Sequence, residues 1–171
     1  MTATQSHIVI YNVFENDAEN FTFDFDTRSD DLLTELVPDL KEWGEVGWME
    51  LSGWEYDENK KEIYMLLETK HHAPREWLKA ASRDVDYFHN RLITMITISK
   101  DETWVGGFAC TDGEVLQDKT LVKLSSDIIG RHYDEEYSQY DVEDLDRLLW
   151  DPAEKFTAVC QEFYIGDKQN D

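Results

Sequence analysis

Apolar and polar positions alternate first at His7–Phe14, where Ile8 and Ile10 share one face, which predicts a strand. Phe21, Phe23 and Phe25 alternate with Thr22, Asp24 and Asp26, which predicts a second strand or strand-like arm with a carboxylate face. Ser29 then stands as a cap, with Asp30 and Asp31 in the first turn where the helix dipole favours them. Leu32, Leu33, Leu36 and Leu40 form the apolar stripe of that helix, and Pro38 shortens or kinks it. Gly47–Tyr56 and Glu62–Thr69 read as two strands of a hairpin turning at Asp57-Glu58-Asn59. Pro74 opens a helix that turns Trp77, Leu78 and Ala81 inward and runs to Asp84 or Phe88.

Leu92–Ser99 and Thr103–Cys110 follow as strands, with a bulge expected at Gly106-Gly107. Thr111-Asp112-Gly113-Glu114 is a hairpin turn into a short strand at Val115-Leu116. Leu121–Ile129 is helical or irregular, and Asp134–Tyr140 is polar and rich in tyrosine. Asp141–Trp150 predicts a helix with Leu145, Leu148 and Leu149 inward. Asp151-Pro152-Ala153-Glu154 has the form of a new capping-box start, followed by Phe156, Val159, Cys160 and Phe163 at helical spacing. The elements divide into residues 1–123, an α+β domain, and residues 124–171, an acidic helical extension packed on it.

The central residues carry a family pattern: Trp43-Gly44, Leu67-Glu68-Thr69, Pro74 with Trp77-Leu78, Ile93–Ser99, Gly106-Gly107-Phe108-Ala109 and Asp112-Gly113-Glu114. Over residues 40–118 the chain resembles the family named "ferredoxin-like in Api92", found mostly in phages and plasmids. The resemblance implies an antiparallel sheet with helices packed on one face, and an origin in a mobile element. The family carries Ser-Pro-Pro before the helix, where this chain has His71-His72-Ala73-Pro74, and the acidic last third has no counterpart in it. The family brings no established chemistry, so no residue inherits a role.

Composition adds the partner. Among 171 residues, 38 acids against 16 bases leave a formal charge of −22, which repels nucleic acid and anionic membranes and attracts basic surfaces. Residues 1–58 hold 15 acids and two bases (−13), residues 59–123 ten of each (0), and residues 124–171 13 acids and four bases (−9). Two acidic arms therefore flank a neutral centre, whereas a surface charged only for solubility mixes its signs more evenly. Aromatic residues make up 13% of the chain, enough for a core rather than a disordered acidic tail. The polar start, Met1–Ser6, is no secretory signal, and Cys110 and Cys160 are expected as buried free thiols. Together these predict a cytoplasmic protein, host cytoplasm if a phage encodes it.

The search for chemistry leaves little. Glu68, His71, His72 and His89 are the one set of metal-ligand types, but adjacent histidines diverge, and surface histidines are the expectation. Cys110 lacks a base at usable spacing, and no phosphate loop follows Gly106-Gly107. No catalytic residue, metal or cofactor is expected. The tyrosines among acids at 133–141 suit an interface where arginine stacks and pairs.

The expected partner-binding residues are Asp24, Asp26, Asp30, Asp31, Asp134, Glu135, Glu136, Tyr137, Tyr140, Asp141, Asp144 and Asp146. On a strand Asp24 and Asp26 stand about 6.6 Å apart at roughly 3.3 Å per residue. On a helix Asp141 and Asp144 are roughly 5–6 Å apart. Both spacings resemble those of successive phosphates. The expectation is therefore a non-enzymatic DNA-mimic inhibitor of host defence, blocking the nucleic-acid site of a CRISPR, restriction or related nuclease complex. The alternatives are an immunity or antitoxin-type protein that neutralises a basic nuclease toxin, and a small enzyme using Cys110 or the histidines.

Overall fold

Six strands form one antiparallel sheet in the order β2-β3-β1-β4-β5-β6, which makes the chain an α+β protein. The structure is a computed structural model that describes residues 3–27, 32–37, 47–99, 104–123, 133–134, 139–140 and 142–165. Of 133–134, 139–140, 142–149 and 165 only the backbone is described. In chain order the elements are β1 (Thr4–Ile10), α1 (Glu15–Thr27), α2 (Leu32–Leu36), β2 (Met49–Asp57), β3 (Glu62–Thr69), α3 (Arg75–Asp84), β4 (Ile93–Ile98), β5 (Trp104–Thr111), β6 (Glu114–Lys123), β7 (Tyr133–Asp134), β8 (Gln139–Tyr140) and α4 (Val142–Cys160). A π-helical turn, Gln161–Ile165, continues α4. Among the described residues, no helix is long and apolar enough to cross a membrane.

The sheet is covered on both faces, by different helices. Ile8 and Ile10 of β1, Ile63, Met65 and Leu67 of β3, and Ile93 and Met95 of β4 face α1, α2 and α3, which contribute Phe21, Leu33, Trp77 and Leu78. The intervening positions, Val9, Ile96, Ile98, Val105 and Ala109, face α4, which contributes Ala153, Phe156 and Cys160. Residues of β4 and β5 are therefore buried whichever way they point, as expected for central strands with two covered faces. Two polar pairs lie between the layers: Ser6 with Thr97 at 2.9 Å, Tyr11 with Thr94 at 3.2 Å.

Several sequence expectations change. Residues 21–26 are helical, not a strand, because Ala18, Phe21 and Phe25 recur at helical spacing and bury together. The stretch expected as a short strand at Val115-Leu116 is the ten-residue edge strand β6, and Leu121 belongs to it. Its register against β5 skips Leu116 and Leu121; the extra residues are on β6, and one of the two bulges stands opposite Val105 and Gly106, at the glycine pair where a bulge was expected. Asp151-Pro152 starts no new helix; α4 runs through it from Val142 to Cys160. The helix expected from Ser29 to Leu40 is described as the five residues of α2, and its flanks lie outside the described residues.

Gly107 has a different reason for lacking a side chain. A Cβ there would stand 3.0 Å from Leu121 Cδ1 and 3.0 Å from the Phe156 ring. The glycine lets α4 and β6 close over β5. Gly107→Val should therefore destabilise the protein by about 1–3 kcal/mol, the usual cost of overpacking. Urea unfolding checks this, and an unchanged midpoint would show that α4 does not press on β5.

Candidate functional site

Between α1 and the β2–β3 hairpin lies an open cleft of about 530 Å³ with carboxylates on both walls. Helix α1 is built as one wall of it. Ala18, Phe21 and Phe25 are its buried stripe, and Phe21 stacks within 4.3 Å of Phe25 and edge-on to Trp54 and Tyr87 at 5.3 and 5.6 Å. Arg91 fixes its first turn through an ion pair with Asp17, while also donating to the carbonyl oxygens of Asn12 at 3.2 Å and His89 at 2.8 Å. The adjoining stripe, Glu15, Glu19, Thr22, Phe23 and Asp26, faces the cleft.

The other wall comes from the hairpin. Asp57 Oδ1 accepts the backbone N–H groups of Asn59 and Lys60 at 2.9 and 3.0 Å, and this tight turn presents Glu58 and Lys61 at the cleft. Tyr56 donates its hydroxyl proton to the Val13 carbonyl at 2.7 Å, closing the floor. Burial, and after it the charges of Glu58, Glu15 and Asp57, hold the Tyr56 phenol above its ordinary range. Glu15, Glu19, Asp26 and Glu58 against Lys61 leave the lining at −3. Phe23, also in the lining, is 66% exposed.

Phe23 and Asp26 both cost the free protein something. A large exposed aromatic ring forgoes burial. A carboxylate in the last turn of a helix opposes the dipole, and α1 has no base in that turn. Departures from local preference of this kind gather at functional sites.

The structure sorts the predicted residues unevenly. Asp26 is in the cleft. Asp24 is not; on a helix it turns away from Asp26 and accepts the Tyr87 hydroxyl at 3.1 Å. The spaced Asp24–Asp26 pair expected on a strand face therefore does not exist. Asp134 and Tyr140 belong to the β7–β8 ladder, where Tyr133 lies opposite Tyr140 and Asp134 opposite Gln139. Asp144 and Asp146 lie on the first half of α4. Asp30, Asp31, Glu135, Glu136, Tyr137 and Asp141 lie outside the described residues. Sequence reasoning missed Glu15, Glu19, Phe23 and Glu58. The four-residue spacing of Glu15 and Glu19 is the signal that would have found the first two, once residues 15–27 are read as a helix.

The other chemical candidates are separated in space. His71 and His72 are exposed and their rings are 6.3 Å apart. Glu68 takes the Gln5 amide at 3.4 Å, and His89 Nδ1 sits 3.1 Å from Asp112 in the β5–β6 turn. Among the described residues, no three His, Cys, Asp or Glu side chains are grouped to hold a metal ion. Both cysteines are buried free thiols, and burial pushes Cys110 up to about 11, where the reactive thiolate is scarce at neutral pH.

His7 titrates for a structural reason. Its ring stands edge-on to Trp150 at 4.9 Å, and its Nε2 has no hydrogen-bond partner among the described residues. Burial lowers its pKa below the ordinary 6.5. The unfolded chain then binds a proton more readily than the fold. The His7 contribution is complete above pH 6.5 and is lost as the pH falls through that value toward the lower folded pKa. His7→Leu should flatten the stability change between pH 7.5 and 5.5 relative to the parent in urea titrations. Parallel curves would mean that His7 is solvated.

No family model, curated protein or solved structure matches the chain.

Proposed function

We propose that this protein is a host-defence inhibitor of a phage or plasmid, acting as an acidic plug in the nucleic-acid-binding site of a CRISPR, restriction or related nuclease complex. The observation that carries the proposal is the α1–hairpin cleft, whose lining combines four carboxylates with the exposed ring of Phe23. A nucleic-acid channel is lined with arginine and lysine. Arginine both pairs with carboxylates and stacks on aromatic faces. Glu15 and Glu19, one helical turn apart, take over the phosphate-like spacing expected of Asp24 and Asp26. The partner is accordingly a basic nucleic-acid-binding protein or ribonucleoprotein rather than nucleic acid itself, and the role is steric rather than enzymatic.

Origin in a mobile element rests on the resemblance of residues 40–118 to the Api92 family. The ferredoxin-like reading draws support from strands β1–β4, which run in the order β2-β3-β1-β4 with helices after β1 and after β3. An immunity protein for a basic nuclease toxin is the second reading, favoured by Phe23, since protein interfaces concentrate their energy in buried aromatic anchors.

The deciding experiment captures partners on the tagged full-length protein from host cells carrying their defence systems. The captured complex is then assayed for DNA binding with and without the protein. Competition with DNA for a defence nuclease is the expected result. Capture of a secreted-type nuclease toxin would select the second reading. Failure to displace DNA from any captured nuclease would overturn both.

A further inference from the structure

On the opposite face of the sheet, a groove of about 450 Å³ runs between β6 and α4. Its size lies within the roughly 300–1,000 Å³ of small-molecule sites. Phe156, Leu121, Val159 and Phe163 give it a mainly apolar lining. Val159 and Phe163 remain 54% and 63% exposed, so their apolar surface is unspent in the free protein.

The charge of the groove inverts that of the chain. None of its ten described lining residues is a carboxylate, although 38 of 171 residues are Asp or Glu, and two are lysines, Lys119 and Lys155. The Lys119 ammonium lies 5.6 Å from the centroid of the Phe156 ring, at the rim of the groove. At one end Tyr164 accepts the Gln117 amide at 3.1 Å and joins the π-helical turn to β6. A concave apolar lining with a few convergent polar groups is the usual form of a small-molecule site.

We propose that this groove binds a single-chain anionic amphiphile, its alkyl tail against Phe156, Val159 and Phe163 and its carboxylate at Lys119 and Lys155. A second copy of the chain fits less well, because two bodies of charge −22 repel one another. A cationic tail would meet two ammonium groups.

Calorimetric titration of the full-length protein tests this with octanoate, decanoate and dodecanoate below their micelle concentrations, and with dodecyltrimethylammonium as the cation of matched tail. The expected result is saturable one-site binding of dodecanoate. Affinity should fall by about fourfold for each methylene removed, and by tenfold or more for the cation. Lys119→Glu with Lys155→Glu should cost the anion at least tenfold and the cation nothing. Both lysines are exposed, so the fold survives these changes, and Val159→Trp blocks the groove by bulk as an independent check. Equal affinity for anion and cation, or undiminished dodecanoate binding by the double lysine variant, overturns the proposal. So does a native dimer in sedimentation that Val159→Glu dissociates, because the occupant is then a second copy. The groove and the acidic cleft lie on different faces, so neither result depends on the other.

Discussion

Trp77→Ala should lower stability by about 3–5 kcal/mol, the range for removing a buried tryptophan. Trp77 is 1% exposed, and its ring packs edge-on to Phe88 at 6.3 Å in the layer between α3 and the sheet. Its indole N–H donates to the carbonyl of Leu33 at 2.8 Å, the bond that ties α3 to α2. Alanine would leave a cavity and strand that carbonyl at once. Domains of this size are stable by about 5–15 kcal/mol, so the variant sits near the edge of folding. Its midpoint temperature should fall by roughly 2–4 °C for each kcal/mol lost. Trp77→Phe separates the two causes: it keeps most of the volume and loses only the donor, for about 1–3 kcal/mol. Urea unfolding of the pair gives the comparison. A loss under 1 kcal/mol for alanine would mean that Trp77 is not a core residue.

The helix carrying Trp77 was legible in the sequence because the signals agreed: Pro74 at the start and three inward residues, Trp77, Leu78 and Ala81, at helical spacing. Helix α1 was not, because two periodicities overlap in it. Phe21 and Phe25 belong to the buried stripe with Ala18, while Phe23 points out. Three phenylalanines in alternation mimic a strand, and the one that does not serve the core creates the error. That residue lines the candidate cleft. The strand expectation and the missed cleft thus have one cause, a hydrophobe that lies outside the buried stripe.

The strands divide in the same way. β4 is apolar or threonine throughout and is buried throughout, so period and burial agree. β6 carries Gln117, Asp118, Lys119 and Thr120, all exposed on an edge strand with two bulges, and such a run gives no period of 2. Pro152 reads as a helix start because it lacks a donor, yet α4 passes through it, with Ala153 and Phe156 seated on the sheet just beyond it. Packing outweighs one lost backbone bond there. The charge count places 15 acids in residues 1–58, but charge alone cannot tell a carboxylate bound by Tyr87 from one that faces the cleft.

Reversing the cleft is the larger functional test. Glu15→Lys, Glu19→Lys, Asp26→Lys and Glu58→Lys together take the formal charge from −22 to −14, and the cleft from net acidic to net basic. If the protein plugs a basic channel, association should slow by about 10²–10³-fold, the span between steered and neutral encounter rates. The native protein should lose the same advantage as salt rises and the Debye length shrinks from about 10 Å at 0.1 M to 3 Å at 1 M. Phe23→Ala should act differently: an anchor ring that fills a partner pocket costs at least about 2 kcal/mol, roughly 30-fold, felt in dissociation rather than association. Folding supplies the control. Asp26→Lys complements the α1 dipole that the aspartate opposes, while Glu15→Lys opposes it in the first turn, so the two effects offset and the reversed protein should melt close to its parent. Surface plasmon resonance on the captured partner reads both rates. A reversed variant that associates as fast as the native chain at low salt would remove the cleft from the interface and leave the acidic last third to be tested in its place.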